Sequence, residues 1–189
     1  EESCDYPNIA RKIAQAVYCA STGGATASAK DVWGSSIPYL VSVPSEFDYL
    51  GPNYGNVTKI SVSDMRNYIQ NETGFTLSDD CNNWITLLPQ SQGGIVDGGY
   101  IGKILIDGKS SYSNGKAFTG RVLRENITKF QLKSAKFDIT IQDGCFVFTT
   151  YGYGHGVGMS QNGANLYAKN AGYNYKQILE HYFPGTVVK

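Results

Sequence analysis

The segment from Gly152 to Ser160, with the sequence GYGHGVGMS, is the densest run of residues that could do chemistry. His155 is its only histidine, and glycine occupies every second position on both sides of it. Glycines at this spacing indicate positive φ angles or close backbone contacts rather than a helix or an ordinary strand. A helix predicted to begin after Ser160 would direct free N–H groups toward a polar ligand. We therefore predict a rigid loop that presents His155 to a cleft. The alternative is a tight strand-to-helix crossing that holds a hydrogen-bonded histidine.

The other residues that could transfer protons are less suggestive. His181 lies in the run ILEHYF of a predicted amphipathic helix, where a packed or capping histidine is the ordinary expectation; convergence with His155 is the alternative. No spacing supports a Ser-His-Asp triad, and the glycine run does not match the dinucleotide fingerprint GxGxxG. The glutamates show no paired spacing, so each is predicted to be a solvated surface charge. They are Glu1, Glu2, Glu46, Glu72, Glu125 and Glu180.

The four cysteines form no CxxC pair, which argues against a zinc ribbon or a thioredoxin-like site. They are Cys4, Cys19, Cys81 and Cys145. Cys4 and Cys19 could form a disulfide or remain free thiols, and the sequence leaves both alternatives open.

Length and composition limit the class of protein. The chain has 189 residues, 41% hydrophobic and 17% charged, with a formal net charge of zero. A single domain over residues 1–189 is predicted, and an intrinsically disordered chain is excluded. The absence of a basic excess argues against nucleic-acid binding, and no apolar run of about 18 residues predicts a membrane span. Because the sequence starts with neither Met nor a signal peptide, we expect a mature or trimmed product.

Helices are predicted mainly in the second half of the chain. Residues 63–74 form the first clear helix, with Ser63 as its N-cap and Gly74 at its end. Helices are also predicted over residues 160–172, 174–183 and, as a short piece, 117–128; Asn174 and Gln177 form a capping box. Residues 9–20 fit a helix or a buried strand equally well.

Strands are predicted where apolar and polar residues alternate. Residues 100–108 form one run and residues 129–154 three short runs, with a hairpin at Asp143-Gly144. Loops or extended segments are predicted over residues 21–30, 32–48, 51–57 and 79–99. Because strands and helices are segregated, the predicted class is α+β, with mainly antiparallel strands, a few short helices and a C-terminal helical segment.

Three blocks of the sequence resemble the stage II sporulation protein D family, which includes proteins of the amidase-enhancer type. The first is AVYCASTGGATASAKDVWGSSIPYLVSVPSEFD at residues 16–48. The second is GKAFTGRVLRENITKFQLKSAKFDITI at residues 115–141, and the third is GHGVGMSQNGANLYAKNAGYNYKQILEHYFPGT at residues 154–186. Together they extend the resemblance over residues 13–189.

The resemblance implies an extracytoplasmic cell-envelope protein that remodels peptidoglycan. The family's best-described branch consists of lytic transglycosylases that cut glycan strands lacking stem peptides, with an amidase partner, during forespore engulfment. The alternative is a non-catalytic, glycan-binding activator of a cell-wall amidase. Membrane attachment is expected only through an N-terminal anchor outside this chain.

The catalytic acid of the family is a glutamate just before a helix that reads like EALKAQAVAARTY. The preferred alignment of this chain begins after that helix, so the domain is expected to lack the catalytic-helix segment and its acid. A second alignment places residues 10–17 against the helix, and Glu1 or Glu2 would then be the acid.

The resemblance also implies a set of substrate-binding residues. Ser160 is expected to be a helix N-cap, and Gln161 is expected to face the ligand. The resemblance implies that no cofactor is required. Some family members hold zinc through Cys and His between the catalytic helix and the STGG block, and in this chain only Cys4 lies near that segment. A structural zinc is a further expectation. The implied glycan-binding residues are Ser21, Gly23, Gly24, His155, Gly156, Ser160 and Gln161, followed by His181 and Tyr182.

Overall fold

Short strands in four small sheets form the framework of the structure, a computed structural model that describes residues 13–189. The strands are β1 (Tyr18–Cys19), β2 (Tyr54–Ser61), β3 (Ile85–Leu87), β4 (Ile95–Val96), β5 (Tyr100–Ile101), β6 (Ile104–Ile106), β7 (Phe137–Gln142), β8 (Cys145–Tyr151) and β9 (Met159–Ser160). The largest sheet is antiparallel in the order β2-β8-β7. The pairs β3-β6 and β4-β5 are antiparallel, whereas β1-β9 is parallel. The predicted α+β class is confirmed.

The described helices are short, between 3 and 12 residues long. They are α1 (Ala29–Trp33), α2 (Val62–Thr73), α3 (Gly120–Val122), α4 (Gln161–Ala171) and α5 (Tyr175–Tyr182), and a π-helical turn (Leu123–Ile127) continues α3. Ser160 caps α4 by accepting a hydrogen bond from the Gly163 N–H, and Asn174 and Gln177 form the capping box of α5, both as predicted. Between residues 13 and 189 no helix has both the length and the apolar character needed to cross a membrane.

The hairpin between β7 and β8 turns at Asp143-Gly144, as predicted. Both residues have positive φ angles, 52° and 71°, as a two-residue turn with the twist of its flanking strands requires. Along β8 the side chains alternate, and Phe146 and Phe148 are buried in the larger core cluster together with Trp84.

A second, smaller core cluster packs beside helices α4 and α5. It contains Leu40, Val157, Tyr167 and Tyr182. Val157 lies two positions after His155, so burial of this valine anchors the glycine-rich loop that carries the histidine.

Helix α2 begins earlier than predicted. Ser61, not Ser63, is its N-cap, and the Ser61 hydroxyl accepts a hydrogen bond from the Asp64 N–H at 3.0 Å. Ser63 lies in the first turn, with its hydroxyl 2.9 Å from that of Ser61. The predicted end at Gly74 is confirmed by its left-handed φ of 72°.

Strand boundaries account for most other differences. The predicted loop at residues 51–57 contains the start of β2, and the predicted loop at residues 79–99 contains β3 and β4. The run predicted at residues 100–108 divides into β5 and β6, and of the three runs predicted within residues 129–154 only β7 and β8 are strands. The extended segment predicted at residues 32–48 begins inside α1 and ends in a 3₁₀ turn.

Two further segments can be compared with their predictions. The short helix predicted within residues 117–128 is present as α3 and its π-helical continuation. Only residues 13–20 of the ambiguous segment at residues 9–20 are described, and β1 is the single regular element there, which favours the strand over the helix.

We predict that Ser61→Ala lowers the free energy of unfolding by about 1 kcal/mol, because the cap of α2 loses its acceptor. Ser63→Ala is the matched control, and it should change this free energy by a few tenths of that amount. Urea denaturation followed by circular dichroism measures both. If Ser63→Ala lowered the free energy of unfolding as much or more, Ser63 would be the N-cap, as the sequence predicted.

Candidate functional site

Two of the sequence blocks lie side by side in the fold. Strand β1 pairs with β9, Ser21 exchanges backbone hydrogen bonds with Tyr153, and the Ala27 N–H donates to the Gly156 carbonyl. The four glycines of the run all have positive φ angles, between 73° and 119°, as the spacing predicted. The Gly156 Cα also lies directly against the Tyr100 hydroxyl, so a side chain at this position would collide with it.

A buried carboxylate, Asp48, joins the two blocks. It is 1% exposed, and its Oδ2 accepts hydrogen bonds from the Thr22 N–H at 2.8 Å, the Thr22 hydroxyl and the Ser45 hydroxyl. Its Oδ1 accepts from the Ser160 hydroxyl at 2.9 Å. Sequence reasoning did not select Asp48, although it is the last residue of the first block. The donors around it come from three separate segments.

The network extends from Asp48 to the C-terminal helix. The Ser45 hydroxyl lies 2.6 Å from that of Tyr182. Because Ser45 donates its proton to Asp48, Tyr182 is the donor in this pair. Burial raises the pKa of Tyr182 well above its usual value, so the phenol stays neutral. Gly163 lies against both hydroxyls, and any side chain there would displace them.

A cavity of about 260 Å³ opens beside the glycine run, where the two core clusters meet. Tyr100 contributes to it from the smaller cluster and Val122 from the larger. The polar and charged residues that line it are Asp31, Lys116, Thr119, Arg121, Arg124, Glu125, Asn126 and His155.

Glu125 is an ion-paired residue of this cavity, and the prediction that it is a solvated surface charge is wrong. Its side chain is 20% exposed. Oε2 accepts a hydrogen bond from Arg121 at 2.9 Å and Oε1 from Arg124 at 3.3 Å. Arg121 also donates to the Val32 carbonyl of α1, so the pair joins α1 to the π-helical turn. Glu72 is also poorly exposed at 19%, whereas Glu46 and Glu180 are exposed as predicted.

His155 lines the cavity and is held on both sides. Its Nδ1 accepts a hydrogen bond from the Val157 N–H at 3.0 Å, and its ring lies 5.3 Å from that of Trp33. Burial lowers the pKa of His155, and the nearby guanidinium groups act in the same direction, whereas a hydrogen bond with the Tyr18 backbone opposes the shift. The loop therefore presents a neutral histidine to a cleft and also fixes it by hydrogen bonds. The presented histidine and the hydrogen-bonded histidine, given above as alternatives, are thus the same arrangement.

The other expected glycan-binding residues divide into buried and exposed groups. Ser21, Ser160 and Tyr182 are 0–2% exposed, so their side chains are out of reach of a ligand in this conformation. Gly23 packs against Tyr151 and Lys136, whereas Gly24, with a φ of 97°, faces open space. Gln161 is exposed at the start of α4.

His181 is separated from His155. Its Nε2 lies 2.7 Å from the Pro44 carbonyl, and its ring packs 4.8 Å from that of Tyr167. It does not line the described cavity. The packed role was the ordinary expectation for this histidine, and the contacts agree with it.

The cysteines offer no reactive group in this region. Cys19 is buried, and burial together with the nearby Asp48 raises its pKa to about 12, so it remains a thiol. Cys81 and Cys145 are half-buried, and neither they nor Cys19 form a disulfide within residues 13–189. The disulfide between Cys4 and Cys19 stays a prediction, since Cys4 lies outside that range. Within residues 13–189 no three His, Cys, Asp or Glu side chains meet in a group that could hold a metal ion. The expected zinc ligand Cys4 and the candidate acids Glu1 and Glu2 lie outside the described residues.

Comparison with known proteins gives three informative matches. The chain is 34% identical to a protein named stage II sporulation protein D from Bacillus amyloliquefaciens, over 93% of this chain and 45% of that protein. It is 32% identical to the protein of the same name from Bacillus subtilis (strain 168), over 92% of this chain and again 45% of the relative. An amidase enhancer from Bacillus subtilis (strain 168) is 27% identical over 92% of this chain and 29% of its own length. The chain thus spans less than half of these relatives. No protein-family model matches it.

We predict that Asp48→Asn lowers the free energy of unfolding by about 3 kcal/mol, because an amide NH₂ would face hydroxyl and N–H donors that need an acceptor. Asp138→Asn is the matched control: this exposed carboxylate accepts a single bond, from Tyr151, and its loss should cost under about 1 kcal/mol. Chemical denaturation measures both values. Equal stability of the two variants would contradict the central role of Asp48.

The lowered pKa of His155 predicts a pH dependence of stability. Below its ordinary pKa of about 6.5 the unfolded histidine takes up a proton that the folded one resists, so stability falls as the pH drops and levels off below the folded pKa. The melting temperature of wild type should therefore fall more between pH 7.5 and 5 than that of His155→Asn, which keeps an acceptor but does not titrate. An equal fall in melting temperature in the two proteins would contradict the lowered pKa of His155.

Proposed function

This chain is a member of the stage II sporulation protein D family, and on that premise we propose that it binds peptidoglycan glycan strands in a cell-wall role during sporulation. The proposed place of action is the cell envelope, outside the cytoplasm. The relatives' names support the sporulation context, and the cavity beside His155 supports the choice of ligand.

The observation that carries the proposal is an exposed aromatic ring beside His155, next to a cavity lined by fixed polar groups. Trp33 is 37% exposed beside His155, and the Glu125–Arg121 ion pair lines the same cavity. A sugar ring has an apolar C–H face, which packs on an aromatic ring, and hydroxyl groups, which need donors and acceptors. Trp33 and the ion pair supply both kinds of contact.

The proposed reaction is lytic transglycosylase cleavage. A carboxylic acid protonates the glycosidic oxygen, and the resulting carboxylate takes the proton of the sugar's own 6-hydroxyl as that oxygen attacks the anomeric carbon, giving a 1,6-anhydro end without water. Both Glu125 oxygens accept hydrogen bonds from guanidinium groups, which suits ligand binding better than proton donation. We therefore assign the acid to the family segment upstream of the matched region, with Glu1 or Glu2 as the alternative.

A second candidate function is non-catalytic activation of a cell-wall amidase by the glycan-bound chain. It is favoured by the 27% identical relative named amidase enhancer. Digestion of peptide-free glycan strands separates the two, with 1,6-anhydro ends read by mass spectrometry. Anhydro ends support cleavage by this chain and make Glu1→Gln and Glu2→Gln the next variants. Binding without products supports the activator, or a binding part whose acid lies upstream.

We predict that Glu125→Gln and Trp33→Ala each weaken binding of peptide-free glycan strands about tenfold, because one loses a charged acceptor and the other an apolar platform. Glu180→Gln, an exposed carboxylate on α5, is the matched control and should bind as wild type does. Isothermal titration calorimetry measures the affinities. Wild-type affinity in both variants would remove this cavity and the neighbouring Trp33 ring from the proposed function.

A further inference from the structure

The cavity is too small to hold a long glycan strand. Its 260 Å³ is below the roughly 300 Å³ at which small-molecule pockets begin. A polysaccharide bound there must continue over the neighbouring surface. The position of that continuation on the surface follows from the structure, and its role rests on the proposed function.

Arg124 connects the cavity to a neighbouring aromatic surface. It lines the cavity and is 7% exposed. Its Nε donates to the carbonyls of Leu132 and Lys133, both at 3.1 Å, and the Lys133 carbonyl also accepts from the N–H of the cavity-lining Gly154. One guanidinium thus holds the end of the cavity and the start of the adjoining surface in a fixed relation.

Two large rings are exposed on this adjoining surface. Phe130 is 61% exposed, and the Arg124 guanidinium carbon lies 5.0 Å from its ring centre. Tyr153 is 47% exposed, and the Lys133 ammonium lies 5.6 Å from its ring centre. Tyr153 immediately precedes the cavity-lining Gly154, so its backbone adjoins the cavity.

The backbone is strained where it exposes Phe130. Lys129 and Phe130 have φ angles of 48° and 64°, a left-handed conformation that non-glycine residues seldom adopt. The π-helical turn that precedes them is itself a feature often found at functional sites. Because an exposed phenylalanine contributes little burial to offset this strain, folding alone does not account for the arrangement.

Polar groups beside the rings complete the surface. The Lys133 ammonium donates to the side-chain oxygens of Asn56 at 3.0 Å and Asn53 at 3.5 Å. Sugar hydroxyl and acetamido groups need donors and acceptors of this kind next to an apolar ring.

We infer that Phe130 and Tyr153 form a second saccharide subsite, in which the glycan strand leaving the cavity packs its sugar faces on the two rings. Arg124 is a positioning residue between cavity and subsite. Phe130 and Tyr153 remain 61% and 47% exposed beside these cations, which suit a strand that carries carboxylate groups. The chain should therefore bind long glycan fragments more tightly than short ones.

The test compares two-sugar and eight-sugar fragments of peptide-free peptidoglycan glycan by isothermal titration calorimetry. Phe130→Asn removes one ring and tolerates the left-handed backbone, Tyr153→Ala removes the other, and Tyr175→Ala on α5, 64% exposed in wild type, is the matched aromatic control. We expect each subsite variant to bind the eight-sugar fragment about tenfold more weakly than wild type and the two-sugar fragment equally well. The control should match wild type with both fragments.

The outcomes separate the two proposals. If wild type binds glycan but both subsite variants keep the full advantage of the longer fragment, the subsite is wrong and the proposed function stands. If wild type binds neither fragment, the proposed function fails and the subsite fails with it. Melting temperatures show that the variants are folded. If only one of the two subsite variants is folded, that variant alone suffices for the comparison.

Discussion

The buried carboxylate of Asp48 is the constraint on which the arrangement of the site depends. A charge removed from water is costly unless donors surround it, and Asp48 receives them from Thr22, Ser45 and Ser160. Each donor belongs to a different part of the chain, so satisfying one charge fixes three segments together. Through Ser45 the same network reaches Tyr182 and holds helix α5 against the site.

The position of the cavity follows from this network and from the two core clusters. The parallel β1-β9 pair sets the glycine run beside the first sequence block, and Val157 anchors its middle in the smaller cluster. His155 is thereby held at the boundary with the larger cluster, where α3 supplies Arg121 and the π-helical turn supplies Arg124 and Glu125. Glycine is needed in the run because Tyr100 occupies the space that a side chain at position 156 would fill.

Local chemistry explains what could be predicted from the sequence. The hairpin at Asp143-Gly144 and the caps of α4 and α5 depend on residues within a few positions of one another, and each was predicted. Strand β2 was missed because only Ile60 of its side chains is fully buried, which leaves almost no apolar alternation to detect. The N-cap of α2 was misplaced because two serines near its start are equally good caps by type.

The site itself was predicted only in part because its contacts are distant in the sequence. The glycine run and its histidine were found, whereas the pairing of the first and third blocks was not predicted. Asp48 and Glu125 were not selected, since nothing near Asp48 in the sequence shows that its donors converge, and Glu125 owes its partial burial to the cavity wall.

The separation in sequence between contacting residues also governs the order in which the protein can assemble during synthesis. Asp48 and Ser160 are 112 residues apart, and Ser45 and Tyr182 are 137 residues apart. Because a ribosome releases the chain from its N-terminal end, the first sequence block emerges long before its partners and waits without them. A product truncated before α5 lacks Tyr182, so the site is completed only after α5 has been translated.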